Sequence, residues 1–224
     1  MPADYQGRTV VLTGTSGALG SGLASAFVAA GATVVGVDRA EPDPVAIVHG
    51  VRYETADLTD DAQVGALLDD VGTPWAVVHT VGGFAPAGSL AVLDLAELQT
   101  QIALNLVTAV AVTKHALRVM QPGGQGRIVL TASRAATVTK GVGFSYSVSK
   151  LAVLHLARMA AEEVAKSRIT VNTVVPSVID TPANRASMPD ADHERWPKIP
   201  DIAQTYLFLA SPAALLVNGA ALPV

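Results

Sequence analysis

Short runs of β-branched, apolar residues alternate along this chain with longer stretches patterned for helix, and that alternation limits the fold more than any other feature. The runs are Thr9–Leu12, Thr33–Val37, Val51–Glu54, Ala76–His79, Arg127–Thr131, Thr170–Val175 and Ala220–Val224. Helical patterns cover Leu19–Ala30, a segment capped at Thr59 and reaching about Val71, Leu95–Met120, Tyr146–Lys166 and Ile202–Leu209. Strands that are apolar nearly throughout are buried on both faces, and the intervening helices supply the cover. The expectation is an α/β, doubly wound domain: a parallel sheet of about seven strands with helices on both faces. Gly31 stops the first helix, and Pro122-Gly123-Gly124 stops the long one.

The 224 residues fit one domain over 1–224, with no internal repeat and no linker-like tract. The least regular stretch, residues 177–200, carries Pro182, Pro189, Pro197 and Pro200. It follows a strand end, where open parallel sheets bind ligands, so it is expected to be a substrate-side loop: a lid, or plain surface.

Composition excludes several classes. Half the residues are hydrophobic and 15% are charged, which is not the balance of a disordered chain. A net charge of −4 disfavours nucleic acid and anionic membranes as partners. With no cysteine there is no disulfide, no thiolate metal site and no thiol nucleophile. The first residues lack a signal peptide's basic and apolar regions, and Ile102–Val112, broken by Asn105 and Thr108, is too short to cross a bilayer. A cytoplasmic protein is expected. The five histidines are scattered and suggest no metal site, the paired acids Asp60-Asp61, Asp69-Asp70 and Glu162-Glu163 read as solvated faces, and no G-x-S-x-G elbow is present.

Thr13-Gly14-Thr15-Ser16-Gly17-Ala18-Leu19-Gly20 follows the first strand and opens the first helix. Glycines allow a tight turn and close approach, and the free amides of a helix N-terminus face an anion such as a pyrophosphate. Asp38 closes the second strand, where a carboxylate can accept from both ribose hydroxyls and repels a 2′-phosphate. NAD(H) is therefore favoured over NADP(H), although Arg39 could meet a 2′-phosphate or stack on adenine. Asp57-Leu58 is placed either to meet the adenine ring or to cap a helix. Tyr146 and Lys150, four apart, share a helical face, where the ammonium can bring the phenol's proton affinity down toward neutral pH. Ser133 lies upstream.

Together these residues resemble the short-chain dehydrogenase/reductase family over nearly the whole chain. Thr13–Gly20 is similar to its T-G-x-x-x-G-x-G turn, with Ala18 for the middle glycine. Ser133, Tyr146 and Lys150 match its serine and Y-x-x-x-K, and Asn105 matches the asparagine counted as a fourth member. Val171–Pro176 resembles the strand before its P-G turn, Thr181 matches the threonine beyond it, and Asn218–Val224 resembles its final strand. The family's N-N-A-G is His79-Thr80-Val81-Gly82 here, and Ser177 replaces the glycine of the P-G turn. Gly17-Ala18-Leu19-Gly20 also resembles the dihydropteridine reductase branch, which lacks the serine.

The resemblance implies a Rossmann fold and hydride exchange between a nicotinamide and a carbonyl or secondary-alcohol substrate. Tyr146 would be the general acid/base and Ser133 would bond the same oxygen. Lys150 would favour the tyrosinate and hold the nicotinamide ribose, and Asn105 would hold a water leading to Lys150. It further implies cofactor contacts from Gly14, Ser16, Gly17, Ala18, Leu19, Asp38, Arg39, Asp57, Leu58, Gly82, Gly83, Tyr146, Lys150, Ile179 and Thr181, and a homodimer or homotetramer built on the two long helices. A dinucleotide sensor without turnover, or another reaction on the same scaffold, stays open. Pocket candidates are Phe84, Ala135, residues 139–145 and residues 183–196, with Phe144, Met188 and Trp196 as apolar lining. Arg134, Lys140 and Arg185 leave an anionic substrate open.

Overall fold

The computed structural model describes residues 4–86, 88–138 and 143–224. In chain order the elements are β1 (Thr9–Thr13), α1 (Ala18–Ala29), β2 (Thr33–Asp38), β3 (Val51–Thr55), α2 (Asp61–Val71), β4 (Ala76–His79) and α3 (Leu95–Ile102). A π-helical turn (Ala103–Val107) leads into α4 (Thr108–Met120), then β5 (Gln125–Thr131), α5 (Phe144–Glu163), β6 (Arg168–Val175), α6 (Pro182–Ser187), α7 (Ile199–Leu209) and β7 (Ala221–Pro223). The strands form one sheet in the order β3-β2-β1-β4-β5-β6-β7, and every pair is parallel. Strand order reverses between β1 and β4, which opens a crevice at their carboxyl ends.

The two-residue period of a strand divides the core into two layers. Val11, Val77, Ile128 and Val171 face the layer of α2, α4 and α5; Val10, Leu12, Val78, Val129 and Val174 face that of α1 and α7. This is the single-domain, doubly wound Rossmann architecture that alternation and resemblance led one to expect.

Several boundaries move for local reasons. Thr59 does not cap α2. Its amide and hydroxyl both donate to Asp57 Oδ1, at 2.9 and 2.7 Å, and Asp60 caps instead by accepting from the amides of Ala62 and Gln63. α5 starts at Phe144, which puts Tyr146 in its first turn, and ends at Glu163 rather than Lys166. The stretch 177–200 is more regular than expected: Thr181 caps α6, and Pro182 and Pro200 sit in first turns, where a missing N–H costs nothing. The run Leu95–Gly123 is continuously helical for 29 residues, and its most apolar 18-residue window has a mean hydropathy of 1.3, so by length it could span a bilayer, contrary to the reading of Ile102–Val112 alone. It carries the buried polar side chains Gln101, Asn105, Thr108, Thr113 and His115, and α4 packs onto the sheet as one layer of the core.

Candidate active site

Gly14 leaves β1 with φ of +82° and its amide bonds Val37 O at 2.8 Å, so the turn is tied to β2. Gly17, at the α1 N-cap, brings no side-chain cap. The first-turn amides of α1 thus face the crevice with no competing side chain, which suits an anion. Gly20 packs on the Gly14 carbonyl so closely that a Cβ there would overlap the oxygen and lie 2.7 Å from the carbon. Backbone cannot yield as a side chain does. Gly20→Ala is expected to weaken dinucleotide binding at least about tenfold, the cost of roughly 1.4 kcal/mol of misfit; titration of cofactor fluorescence measures it.

Asp38 is bound to the same turn. Its Oδ2 accepts from Ser16 N at 3.0 Å and its Oδ1 from Arg39 N at 2.8 Å. Leu58 is buried among α2 and α4 residues, so its side chain is not available to an adenine ring, and Asp57 is engaged in the Thr59 turn.

Across the crevice, β5 ends at Thr131 and Ser133 caps a short turn, its Oγ accepting from Ala135 N at 3.2 Å. Ser147 Oγ donates to Ala135 O at 2.6 Å, which fastens that turn to α5 beside Tyr146. Lys150, one turn further along α5, is buried, and its Nζ donates to Thr131 O at 3.0 Å. Burial pushes the Lys150 ammonium down to about 8. Burial pushes the Tyr146 phenol above its ordinary value, and a side-chain hydrogen bond with Ser133 opposes it. The expectation that Lys150 brings Tyr146 down is therefore corrected: desolvation is the larger effect, and Lys150 is engaged with a strand carbonyl.

Asn105 reaches the site because the π turn, with Thr108 N bonded to Ala103 O, rotates it inward. Its Oδ1 accepts from Gly83 N at 3.0 Å, and its Nδ2 donates toward Gln101 Oε1 (2.9 Å), Ser149 Oγ (3.0 Å) and Gly83 O (3.2 Å). Both Nδ2 hydrogens are engaged with protein groups, so a water at Asn105 would have to donate to one of its oxygens. Gly82 lies between Asn105 and Lys150: a Cβ there would fall 2.6 Å from Asn105 Oδ1 and 2.8 Å from Lys150 Nζ.

His79 was not singled out from the sequence, although its place at the start of the altered N-N-A-G segment is the signal. It is buried between Thr13 Oγ1 (2.8 Å from Nδ1) and Thr108 Oγ1 (3.3 Å from Nε2). Thr108 gives its hydrogen to Leu104 O, so it accepts from Nε2, and Nδ1 accepts from Thr13. Burial, with a smaller contribution from Lys150, holds this imidazole neutral, down to about 3. Its carbonyl accepts from Thr131 Oγ1 at 2.7 Å, which links it to the strand residue that holds Lys150.

On the substrate side, Phe84 meets the Tyr146 ring edge-on at 5.3 Å and is 71% exposed. Phe144 and Met188 are also exposed, Trp196 meets His193 at a tilt with ring centres 4.5 Å apart, and Ala135 is buried. Arg185 is held by Asp180 through two bonds of 2.6 and 2.9 Å, so its charge is already matched, while Arg134 is exposed. Ile179 packs on the α7 layer and its carbonyl accepts from Asn184 Nδ2; Thr181 accepts from Asn184 N. Residues 139–142, with Lys140, lie outside the described residues. Among the described residues no cluster of three or more histidine or acidic side chains could hold a metal.

A sequence model of the family described as enoyl-(acyl carrier protein) reductase matches residues 14–224. The chain belongs to the short-chain dehydrogenase/reductase family. This is a family of NAD(P)-dependent oxidoreductases. Cis-4-hydroxycyclohexanecarboxylate dehydrogenase of Sinomonas cyclohexanicum is 34% identical over 97% of this chain and 94% of that one. Galactitol 2-dehydrogenase of Rhizobium johnstonii is 32% identical over 96% and 92%. A short-chain type dehydrogenase/reductase of Mycobacterium ulcerans superposes with a TM-score of 0.90 at 31% identity, covering 99% of this chain and 89% of that one. The short-chain dehydrogenase/reductase relatives at these identities include dehydrogenases of both an alicyclic acid and a sugar alcohol, so they leave the substrate open.

Proposed function

We propose that this protein exchanges a hydride between NAD(H) and an uncharged, largely apolar carbonyl or secondary-alcohol substrate, with Tyr146 as the proton-transferring group. The single observation that carries the reading is a half-buried Tyr146 beside Ser133, one turn from a buried Lys150, across the crevice from an uncapped glycine turn. The residues present fit a dinucleotide. The turn amides and the α1 N-terminus suit the pyrophosphate, Asp38 suits the ribose hydroxyls, and Gly82 and Gly83 carry no side chain to obstruct it. When bound, the nicotinamide supplies or accepts the hydride.

In reduction, Tyr146 gives its proton to the oxygen on which charge develops, and Ser133 donates to that same oxygen. Lys150, held by Thr131 O, keeps a cation near the phenol as it becomes phenolate. The exposed faces of Phe84 and Met188 favour an apolar substrate body, and the Asp180–Arg185 pair removes one of the three cations that could have drawn an anion. Residues 177–200 are the proposed substrate-side segment. The proposed homo-oligomer would use the outer faces of α4 and α5, where Leu151 is exposed and where Val110 and Met159, also exposed, line a groove of about 550 Å³; light scattering reads it.

Absorbance of the reduced cofactor, followed in both directions across carbonyls and alcohols with each dinucleotide, tests the activity. No hydride exchange with any of them rejects the reading. Asp38→Ala is expected to raise the NADPH/NADH ratio of kcat/KM about tenfold or more, since a carboxylate against a 2′-phosphate costs on the order of 1–2 kcal/mol. An unchanged ratio removes Asp38 from cofactor choice.

A further inference from the structure

We infer that Gln101 is a positioning residue for the candidate site, holding the Asn105 amide so that the Gly82–Gly83 segment stays seated on Lys150. Its kinetic consequence rests on the oxidoreductase reading; its structural consequence does not.

Gln101 is only 6% exposed, in the last turn of α3, four residues before Asn105. A buried amide is costly unless bonded. Its bond is to Asn105: Gln101 Oε1 accepts from Asn105 Nδ2 at 2.9 Å.

An asparagine side chain is nearly symmetric in shape, so something must decide which way its oxygen points. Here two acceptors decide it. One is Gln101 Oε1. The other is Ser149 Oγ, which gives its own hydrogen to Tyr146 O at 2.8 Å and so can only accept from Asn105. With Nδ2 held on that side, Oδ1 faces Gly83 N, and Asn105 pairs with both main-chain polar groups of Gly83. Gly82, the next residue back, leaves no room for a side chain between Asn105 Oδ1 and Lys150 Nζ. Gly83 is close to Gln101 itself, since a Cβ there would lie 3.7 Å from Gln101 Nε2. Without the Gln101 acceptor, one Nδ2 hydrogen has only the longer bond to Gly83 O. Asn105 can then rotate, and the strand-four exit loosens over Lys150.

The test uses the full-length protein with Gln101→Leu, which keeps volume but removes the acceptor, and Gln101→Glu, which keeps an acceptor and adds charge. Gly83 amide exchange is expected to quicken about tenfold in the leucine variant, the factor matching roughly 1.4 kcal/mol of lost hydrogen bonding. It is expected to stay near wild type in the glutamate variant. In turnover, the leucine variant is expected to lose about tenfold in kcat with substrate KM unchanged. The glutamate variant should move the alkaline limb of alcohol oxidation to higher pH, because a carboxylate near Lys150 and Tyr146 favours the ammonium and disfavours the phenolate. Unchanged Gly83 protection in the leucine variant overturns the inference whatever the turnover. If the wild-type protein exchanges no hydride, only the oxidoreductase reading falls, and Gly83 exchange still decides this one. If the leucine variant does not fold, Gln101→Met supplies the same comparison.

Discussion

Tyr146→Phe is expected to lose about 10²–10⁴-fold in kcat, the range that one positioned acid/base contributes, while cofactor affinity changes little. The substitution removes one oxygen and keeps the ring, so the edge-on packing with Phe84 survives and the first turn of α5 is undisturbed. What disappears is the proton and the hydroxyl that faces Ser133. Stopped-flow turnover against cofactor-fluorescence titration separates the two effects. A phenylalanine variant retaining most of its kcat would mean that another group carries the proton. The direction of the phenol's shift adds a pH dependence. Burial raises its proton affinity, so the protonated form that reduction requires prevails at neutral pH and is lost only as pH rises into the alkaline range. Alcohol oxidation needs the phenolate and should accelerate over that same range. Opposite slopes of kcat/KM against pH in the two directions are therefore expected. Parallel slopes would detach Tyr146 from the rate.

The sheet was legible because its strands are apolar nearly end to end, and a doubly wound parallel sheet is the arrangement that buries such strands on both faces. Tyr146 and Lys150 were legible as a pair because their spacing on a single helix fixes their relation, whereas Ser133, beyond the end of β5, was matched only by residue type and order. Details decided between neighbouring residues were less so. Thr59 and Asp60 are both good caps, and which one serves depends on Asp57 already holding the threonine hydroxyl. The π turn aims Asn105 at Gly83, a tertiary setting that no local pattern announces. Gln101 and His79 read as ordinary helix and strand residues until the partners that bury them, 4 to 66 positions away in the chain, are brought alongside. The direction of the Tyr146 shift was missed for the same reason: desolvation depends on what packs around a group, and the i to i+4 rule has no access to that.

Arg127→Leu is expected to destabilise the fold by about 2–4 kcal/mol, mainly because three carbonyls lose their donor, and to leave kcat per folded molecule unchanged. The apolar run read from the sequence begins at Arg127, which puts that residue at a strand end. The strand begins at Gln125 instead, between β4 and β6, and leaves Arg127 only 2% exposed. No carboxylate balances it among the described residues; its bonds go to carbonyls, from Nε to Ser211 O at 3.0 Å and from one terminal nitrogen to Gly126 O at 2.7 Å and Arg168 O at 2.9 Å. The guanidinium also lies 5.0 Å from the centre of the Trp75 ring, whose Nε1 donates to Ala210 O at 2.8 Å. Leucine would fill much of the volume and end the cost of burying a cation near Arg8 and Arg168. It would also take a donor from three carbonyls at about 1–3 kcal/mol for each one left unpaired, and a ring contact worth roughly 0.5–2 kcal/mol. The losses exceed the relief. Because total stability is of the order of 5–15 kcal/mol, the midpoint of urea unfolding should fall visibly. A leucine variant as stable as the parent would show that desolvating the guanidinium already costs as much as its carbonyl and indole contacts return. Arg127 lies near the amino end of β5 and Ser133 beyond its carboxyl end, so only a stability readout should register the change.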